Sequence, residues 1–400
     1  MLHEFWHNFT HNLFTPLLLF FYFGFLIPIL RVRFEFPHVV YRALTMYLLI
    51  AIGWQGGEQL AAIKPMNIGA IAGFMVLGFV SNFVIGAVTY VALSWLSAMR
   101  RVDRAMVAGY YSSDSAGTFA TCVAVLTSLG IAFNAYMPVM LAVMEIPGCL
   151  VALYLVARLR NRGMDPEGNM PDEPGYSAPA TVAAGPGTAT QHAHGQTPSV
   201  PGEREIASER GEYPERQRGY DVSRRVSKAA LLNEVLLNPG ICLLIGAILI
   251  GFVSGLQGQK VIHEDNTFFV SAFQGALCLF LLEMGMAASR KLKDLRTAGL
   301  GFILFGLLAP NVFATLGIIV AHGYAFYTHT DFRPGTYVLF AVLCGAASYI
   351  ALPAVQRLAI PEASPTLPLA ASLGLTFSYN VTIGIPLYIE IARLASWWGL

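Results

Sequence analysis

The stretch Tyr110-Tyr111-Ser112-Ser113-Asp114-Ser115-Ala116-Gly117-Thr118 interrupts an otherwise apolar run, residues 104 to 129, and its reading decides the fold. A second apolar run, 334 to 357, is broken in the same way by Cys344-Gly345-Ala346-Ala347-Ser348-Tyr349-Ile350-Ala351-Leu352-Pro353. Runs of this kind read as membrane spans, which need ~20 mostly apolar residues. In hydrocarbon, backbone that leaves helical geometry is tolerated only where protein or a water-filled cavity satisfies its polar groups. Two broken spans at equivalent places in two halves therefore predict a binding site between repeats, the design of a carrier.

Working outward, the 400 residues are 55% hydrophobic and 12% charged, against ~25% charged in soluble domains. Ten apolar blocks are counted: 12 to 30, 37 to 62, 67 to 97, 104 to 129, 134 to 158, 232 to 255, 267 to 288, 297 to 322, 334 to 357 and 366 to 396. The expected fold is an all-α polytopic membrane protein with ten transmembrane helices, the fourth and ninth interrupted. The opening MLHEFWHNFTHN has no basic n-region, so no cleavable signal peptide is expected.

Arg and Lys fall in alternate loops. Arg31, Arg33, Arg100, Arg101, Arg104, Arg158, Arg160, Arg162, Arg290, Lys291, Lys293, Arg296 and Arg357 share one side, and Lys64, Lys260 and Arg333 the other. The positive-inside rule then places the basic loops of this multi-pass protein in the cytoplasm and both termini outside. The net charge of +1 says nothing further about partners, and no nucleic-acid partner is expected.

Residues 160 to 230 break the pattern, being rich in Pro, Gly, Ala and Ser, and are expected to form a disordered cytoplasmic linker. Their basic end, Arg216 to Lys228, suits anionic headgroups or a regulatory partner. The domains are thus 1–159, a first five-helix repeat, the linker, and 231–400, a second. An odd number of spans per half makes the repeats inverted. Short echoes keep the same order in both halves, among them Leu48-Leu49-Ile50-Ala51-Ile52-Gly53 against Leu281-Leu282-Glu283-Met284-Gly285, and Ile146-Pro147 against Ile385-Pro386.

The polar groups at bilayer depth are the candidate site residues. Ser112, Ser113, Ser115 and Thr118 supply hydroxyls and Asp114 a carboxylate. Hydroxyl and carbonyl oxygens with one carboxylate suit a hard cation such as sodium, while N–H groups at a half-helix N-terminus suit an anion. The other reading is close helix packing by small residues. Glu145 and Glu283 are intramembrane carboxylates and hence functional candidates. Thr376, Ser378, Asn380 and Thr382 face either the same cavity or neighbouring helices, and Gln55 and Glu58 lie near a span end.

No GxxxxGK[ST], HExxH, GxSxG or CxxCH motif is present, and Asp114 lacks a second intramembrane aspartate, so no enzyme is expected. The five cysteines lie inside apolar blocks and read as small buried hydrophobes.

Seven motifs in register carry a family resemblance: Leu49-Ile50-Ala51-Ile52-Gly53-Trp54-Gln55-Gly56-Gly57, Ser115-Ala116-Gly117-Thr118, Met144-Glu145-Ile146-Pro147, Leu282-Glu283-Met284-Gly285-Met286, Ala347-Ser348-Tyr349-Ile350-Ala351, Ile360-Pro361-Glu362-Ala363 and Gly384-Ile385-Pro386-Leu387-Tyr388. Together they resemble the sodium-dependent bicarbonate transporter family first known from cyanobacteria. The resemblance implies a symporter with a gate part of spans one, two, six and seven, a mobile core of the remaining spans, and assembly as a homotrimer in the lipid bilayer. It implies a cytoplasmic PII-like regulator that binds adenine nucleotides, and no cofactor beyond the co-transported sodium ion. Bicarbonate would be held by Ser113, Ser115, Ala116, Gly117, Thr118, Ala347, Ser348 and Tyr349. Sodium would be held by Asp114, Ser112, Ser348, Asn380 and Glu145.

Two departures stand out. Cyanobacterial members carry Ser-Gly-Ser-Thr where this chain has Ser115-Ala116-Gly117-Thr118, and a serine-rich run ending in Asp where it has Ala346-Ala347-Ser348-Tyr349. With the ninth-span carboxylate missing, either Asp114 is the replacement ligand, or the chain uses another cation stoichiometry or another anion. A carrier for another small anion or carboxylate, and a non-transporting membrane sensor, are the rival readings.

Overall fold

The computed structural model describes residues 14–61, 68–177, 239–257, 267–297 and 299–397. Arg216 to Lys228, Lys64 and Lys260 lie outside the described residues. All ten apolar blocks contain helix. In chain order the helices are α1 (Pro16–Ile29), α2 (His38–Ala61), α3 (Ile68–Leu96), α4 (Arg101–Tyr111), α5 (Ala116–Ser128), α6 (Met137–Asn161), α7 (Pro239–Gln257), α8 (Phe273–Lys291), α9 (Leu300–Thr328), α10 (Pro334–Gly345), α11 (Ala351–Ala359), α12 (Thr366–Leu369) and α13 (Ile385–Trp397). Proline opens α1 and α10, where its missing N–H is one of the groups a helix start leaves unbonded anyway. Between α12 and α13 the chain runs through two π-helical stretches, Ala370–Phe377 and Asn380–Gly384.

Among the described residues five helices, 69–96, 137–160, 240–257, 267–295 and 300–328, are long and apolar enough to cross a membrane. Exposed apolar side chains recur one turn apart as Val76, Val80, Val84 and Val88 on α3, and as Leu300, Leu304, Leu308 and Val312 on α9. Stripes of this kind have no place in water and fit hydrocarbon. The chain is a multi-pass membrane protein.

The helices form two groups. In the first, α2 packs along α7 and α1 along α8. Lipid gives these helices no hydrophobic reason to associate, so close approach through small residues must supply the contact. A side chain on Gly53 would meet Ala247 and the Leu244 carbonyl, and one on Gly57 the Ile248 carbonyl. Likewise Gly24 lies against the Leu282 carbonyl and Gly285 against the Phe21 carbonyl. The second group holds α3 to α6 and α9 to α13, packed pairwise as α4 on α6, α3 on α6 and α9 on α10.

One end of the second group is closed by a loop that the composition does not announce. Residues 162–177, the first part of the expected disordered linker, are folded: Asp165, Asn169 and Met170 are buried. Side chains from distant helices hold them. The Arg100 guanidinium donates to the Glu167 carbonyl (2.8 Å), Glu173 accepts from the Arg101 amide (2.8 Å), and Arg101 pairs with Asp172. Beside this loop Arg160 pairs with Glu362 (2.7 Å). The linker residues from 178 to 230 lie outside the described residues. Cys122, Cys149 and Cys344 are buried, Cys278 is half-buried and Cys242 is exposed.

Candidate functional site

α4 stops at Tyr111, ahead of a Ser-Ser-Asp-Ser run of residue types that disfavour a helix interior. Ser112 closes the helix, its N–H donating to the Ala108 (2.9 Å) and Gly109 (3.1 Å) carbonyls. Ser115, with extended backbone (φ −131°, ψ 110°), opens α5. Its Oγ accepts from the Thr118 amide (3.2 Å) and hydroxyl (2.9 Å), a side-chain N-cap. That leaves the Ala116 and Gly117 amides at the helix start without an intrahelical carbonyl, at the positive end of the dipole.

In the second break α10 ends at Gly345, Ala346 is extended, and α11 begins at Ala351, so Pro353 falls in its first turn. The two breaks touch: the Ser348 N–H donates to the carbonyls of Tyr110 (2.9 Å) and Ser113 (3.1 Å). The Gly345 carbonyl accepts from Asn380 Nδ2 (2.8 Å), and Asn380 Oδ1 accepts from the Tyr388 hydroxyl (2.7 Å). Ser113 Oγ donates to the Glu145 carbonyl (3.0 Å) on α6. The Tyr110 hydroxyl donates to Gln356 Oε1 (3.0 Å), and Tyr111 and Thr376 share a hydroxyl bond of 2.6 Å. Thr376 in turn donates to the Gly306 carbonyl (3.1 Å). Backbone freed by the breaks is thus bonded by protein, as membrane depth requires.

Most of the site residues expected from the sequence are brought to this crossover. Ser112, Ser113, Asp114, Ser115, Gly117, Thr118, Ala347, Ser348, Tyr349 and Asn380 are all buried, and Ala116 and Glu145 half-buried. Asp114 is 1% exposed, and neither carboxylate oxygen has a hydrogen-bond donor among the described residues. It interacts electrostatically with Glu145 and with the Cys344 thiol at the end of α10. Asn380 and the Ser348 amide are engaged in holding the crossover, so the structure gives them a scaffolding part. Glu283 belongs to the other helix group, on α8, and interacts with Tyr41.

A narrow cleft lies where the two helix groups face each other, lined by Thr45 and Leu49 of α2, Ala116, Gly117 and Ala120 of α5, Phe280 of α8, and Ile350. The start of α5 opens onto it. Gly117 has to be glycine here, because the Tyr349 hydroxyl and the Phe280 ring occupy the space of a Cβ. A second narrow cleft, lined by Gln55, Gly56, Val123 and Pro138, continues along α2.

Sequence reasoning passed over Asn82, Gln356 and Tyr388. Asn82 was the findable one, a lone amide within the apolar α3; it is buried and its Nδ2 donates to the Met144 carbonyl (2.6 Å). Among the described residues no group of three or more His, Cys, Asp or Glu side chains is placed to hold a metal ion. The unpartnered Asp114 carboxylate and the Ser112 hydroxyl offer oxygens, donors for a hard cation rather than a transition metal.

No curated protein matches the chain at a significant level. The characteristic sequence pattern of one family spans residues 16–393, nearly the whole chain, and places it among transporters rather than enzymes. A polytopic bundle with two broken helices crossing beside a small cleft is what that match covers: the chain belongs to the Na+-dependent bicarbonate transporter superfamily.

Proposed function

We propose that the chain is a symporter that imports bicarbonate with sodium across the bacterial cytoplasmic membrane by alternating access. The observation that carries this reading is the contact of the Ser348 amide with the Tyr110 and Ser113 carbonyls, which makes one site of two helix breaks beside a cleft. The anion sits at the start of α5, where the Ala116 and Gly117 amides and the helix dipole offer donors. Ser113, Ser115, Thr118, Ala347, Ser348 and Tyr349 shape that pocket. The cation sits on the far side of the same break, held by Asp114, Ser112 and Glu145, with Ser348 and Asn380 completing its frame.

The pairing has an electrical reason. A unit charge crossing the membrane is worth ~2.3 kcal/mol per 100 mV, so an anion entering an inside-negative cell needs a cation with it. One sodium ion cancels the charge and a second adds drive.

Ten spans in two inverted repeats, with both termini outside, form the frame of this mechanism. Its support lies in the pairing of helices. Exchanging the halves turns α2 on α7 into α8 on α1, the two tightest contacts of the first group. The echoing glycines Gly53 and Gly285 occupy equivalent close approaches in those two pairs. The first group acts as the gate and the second as the moving core, which exposes the cleft to each side in turn. Assembly as a homotrimer and control by a cytoplasmic PII-like regulator complete the proposal on the strength of the family resemblance.

Uptake of labelled bicarbonate into proteoliposomes, with an inward sodium gradient or with potassium in its place, tests the reading. Sodium-driven accumulation is expected. Organic-acid uptake indifferent to bicarbonate would favour another anion carrier, and ligand binding without flux would favour a sensor.

A further inference from the structure

Several buried side-chain oxygens at and beside the break after α4 lack a partner. Among the described residues Asn82 Oδ1, Ser112 Oγ, and both Asp114 oxygens have no hydrogen-bond partner. Their residues are almost sealed from solvent, at 1%, 0% and 1% exposure. Thr89, two turns along α3 from Asn82 on the same face, has a buried hydroxyl without a partner as well.

The three elements that carry these atoms converge. The Ser112 hydroxyl fills the space over Gly86, one turn along α3 from Asn82. Asn82 donates its Nδ2 to the Met144 carbonyl (2.6 Å) on α6, so its amide nitrogen is used and its oxygen is left over. The next residue on α6, Glu145, interacts with Asp114, and its carbonyl accepts from Ser113 Oγ (3.0 Å). Burying polar oxygens with nothing to bond is costly, and at membrane depth there is no bulk water to offset it. A dehydrated cation removes the cost, because it is satisfied by oxygens and needs no donor geometry.

We propose that sodium binds between α3, the break after α4, and α6, with Asn82 Oδ1, Ser112 Oγ and the Asp114 carboxylate as its side-chain ligands. This rests on the reading of the chain as a cation-coupled carrier and adds α3 to the cation site. The Ser348 N–H and the Asn380 side chain meanwhile hold the crossover together. The site lies behind the anion pocket, within the core group, so the ion travels with the core.

Binding of radioactive sodium to the purified chain in nanodiscs, in a choline background without bicarbonate, tests the assignment. Asn82→Leu and Ser112→Ala should each weaken sodium binding about tenfold or more, as loss of a ligand to a charged group does. Asn82→Asp, which keeps an oxygen at Oδ1 and the size but gives up the Nδ2 donor to the Met144 carbonyl, should still bind sodium. That variant and Ser112→Ala decide the matter if Asn82→Leu does not fold. Unchanged sodium affinity in Asn82→Leu and Ser112→Ala, with binding lost in Asp114→Asn, overturns the α3 assignment and leaves the cation-coupled reading standing. Absence of sodium binding in the unaltered chain overturns both.

Discussion

The amide of Ser348 donates to the carbonyl of Ser113 at 3.1 Å, so the two helix breaks are joined main chain to main chain. The same amide reaches the Tyr110 carbonyl at 2.9 Å. The crossing therefore does not depend on the side chain at 348. Ser348→Ala should unfold at nearly the original temperature, whereas Ser348→Pro removes the donor and leaves two buried carbonyls short. A loss of about 2 kcal/mol or more is expected for the proline variant. Thermal unfolding in detergent measures it, and equal stability of the two variants would contradict the account.

Gly117 and Tyr349 compete for the same space at the mouth of α5. Gly117→Ala pushes a methyl group into the Tyr349 hydroxyl, and bicarbonate uptake should fall at least tenfold. Adding Tyr349→Phe should recover part of the loss, because the two residues are in contact and their effects are not additive. Uptake kinetics for the two single variants and the double variant give the coupling.

Close packing in the first helix group makes a further contrast. A Cβ at Gly57 would run into the Ile248 carbonyl, while one at Gly246, also on α7's side of the group, meets nothing within 4 Å. Gly57→Ala should cost on the order of 1–3 kcal/mol, the usual penalty of overpacking, and lower the yield of folded protein. Gly246→Ala should leave both unchanged. Size-exclusion profiles and unfolding temperatures of the two variants decide.

The loop at residues 162–177 carries a pH dependence. Burial pushes the Asp165 carboxyl up, but the Ser177 amide (2.9 Å), the Asn169 amide (2.6 Å) and the Asn169 side chain (3.3 Å) donate to it, and together they hold it below its ordinary range. A carboxylate whose folded pKa is depressed stabilises the fold above its unfolded value, ~3.9, and that contribution is lost as pH falls through the folded value. The loop should be insensitive to pH near neutrality and loosen only below about pH 4. Asp165→Asn should show the loosened state at neutral pH. Hydrogen exchange at Asn169 and Ser177 follows both.

The residues that decide the fold are legible because membrane depth forbids unexplained polarity. Tyr110 to Thr118 and Cys344 to Pro353 stand out against apolar runs, and both contain the helix breaks. Asn82 escaped notice because one amide in an apolar helix is indistinguishable from an interhelical hydrogen bond until its partners are known. Residues 162–177 looked like the start of a disordered linker because part of their order comes from elsewhere: Arg100 and Arg101 supply the bonds that the Glu167 carbonyl, Asp172 and Glu173 complete, while Asn169 and Ser177 bond Asp165 within the loop. Asn380 read as a ligand, yet Gly345 and Tyr388, 35 residues before and 8 after it, absorb its amide. Local sequence shows which groups are polar, and only the packing shows which of them are already satisfied.

The central claim is that one crossover binds bicarbonate and sodium together, and thermodynamic linkage tests it most directly. If the two share a site, each must raise the affinity of the other by the same factor, typically 5- to 150-fold. Sodium affinity of the purified chain is therefore measured without bicarbonate and at saturating bicarbonate, and bicarbonate affinity without sodium and at saturating sodium. The account predicts equal, reciprocal tightening that disappears in Asp114→Asn. Sodium affinity unchanged by saturating bicarbonate would contradict it.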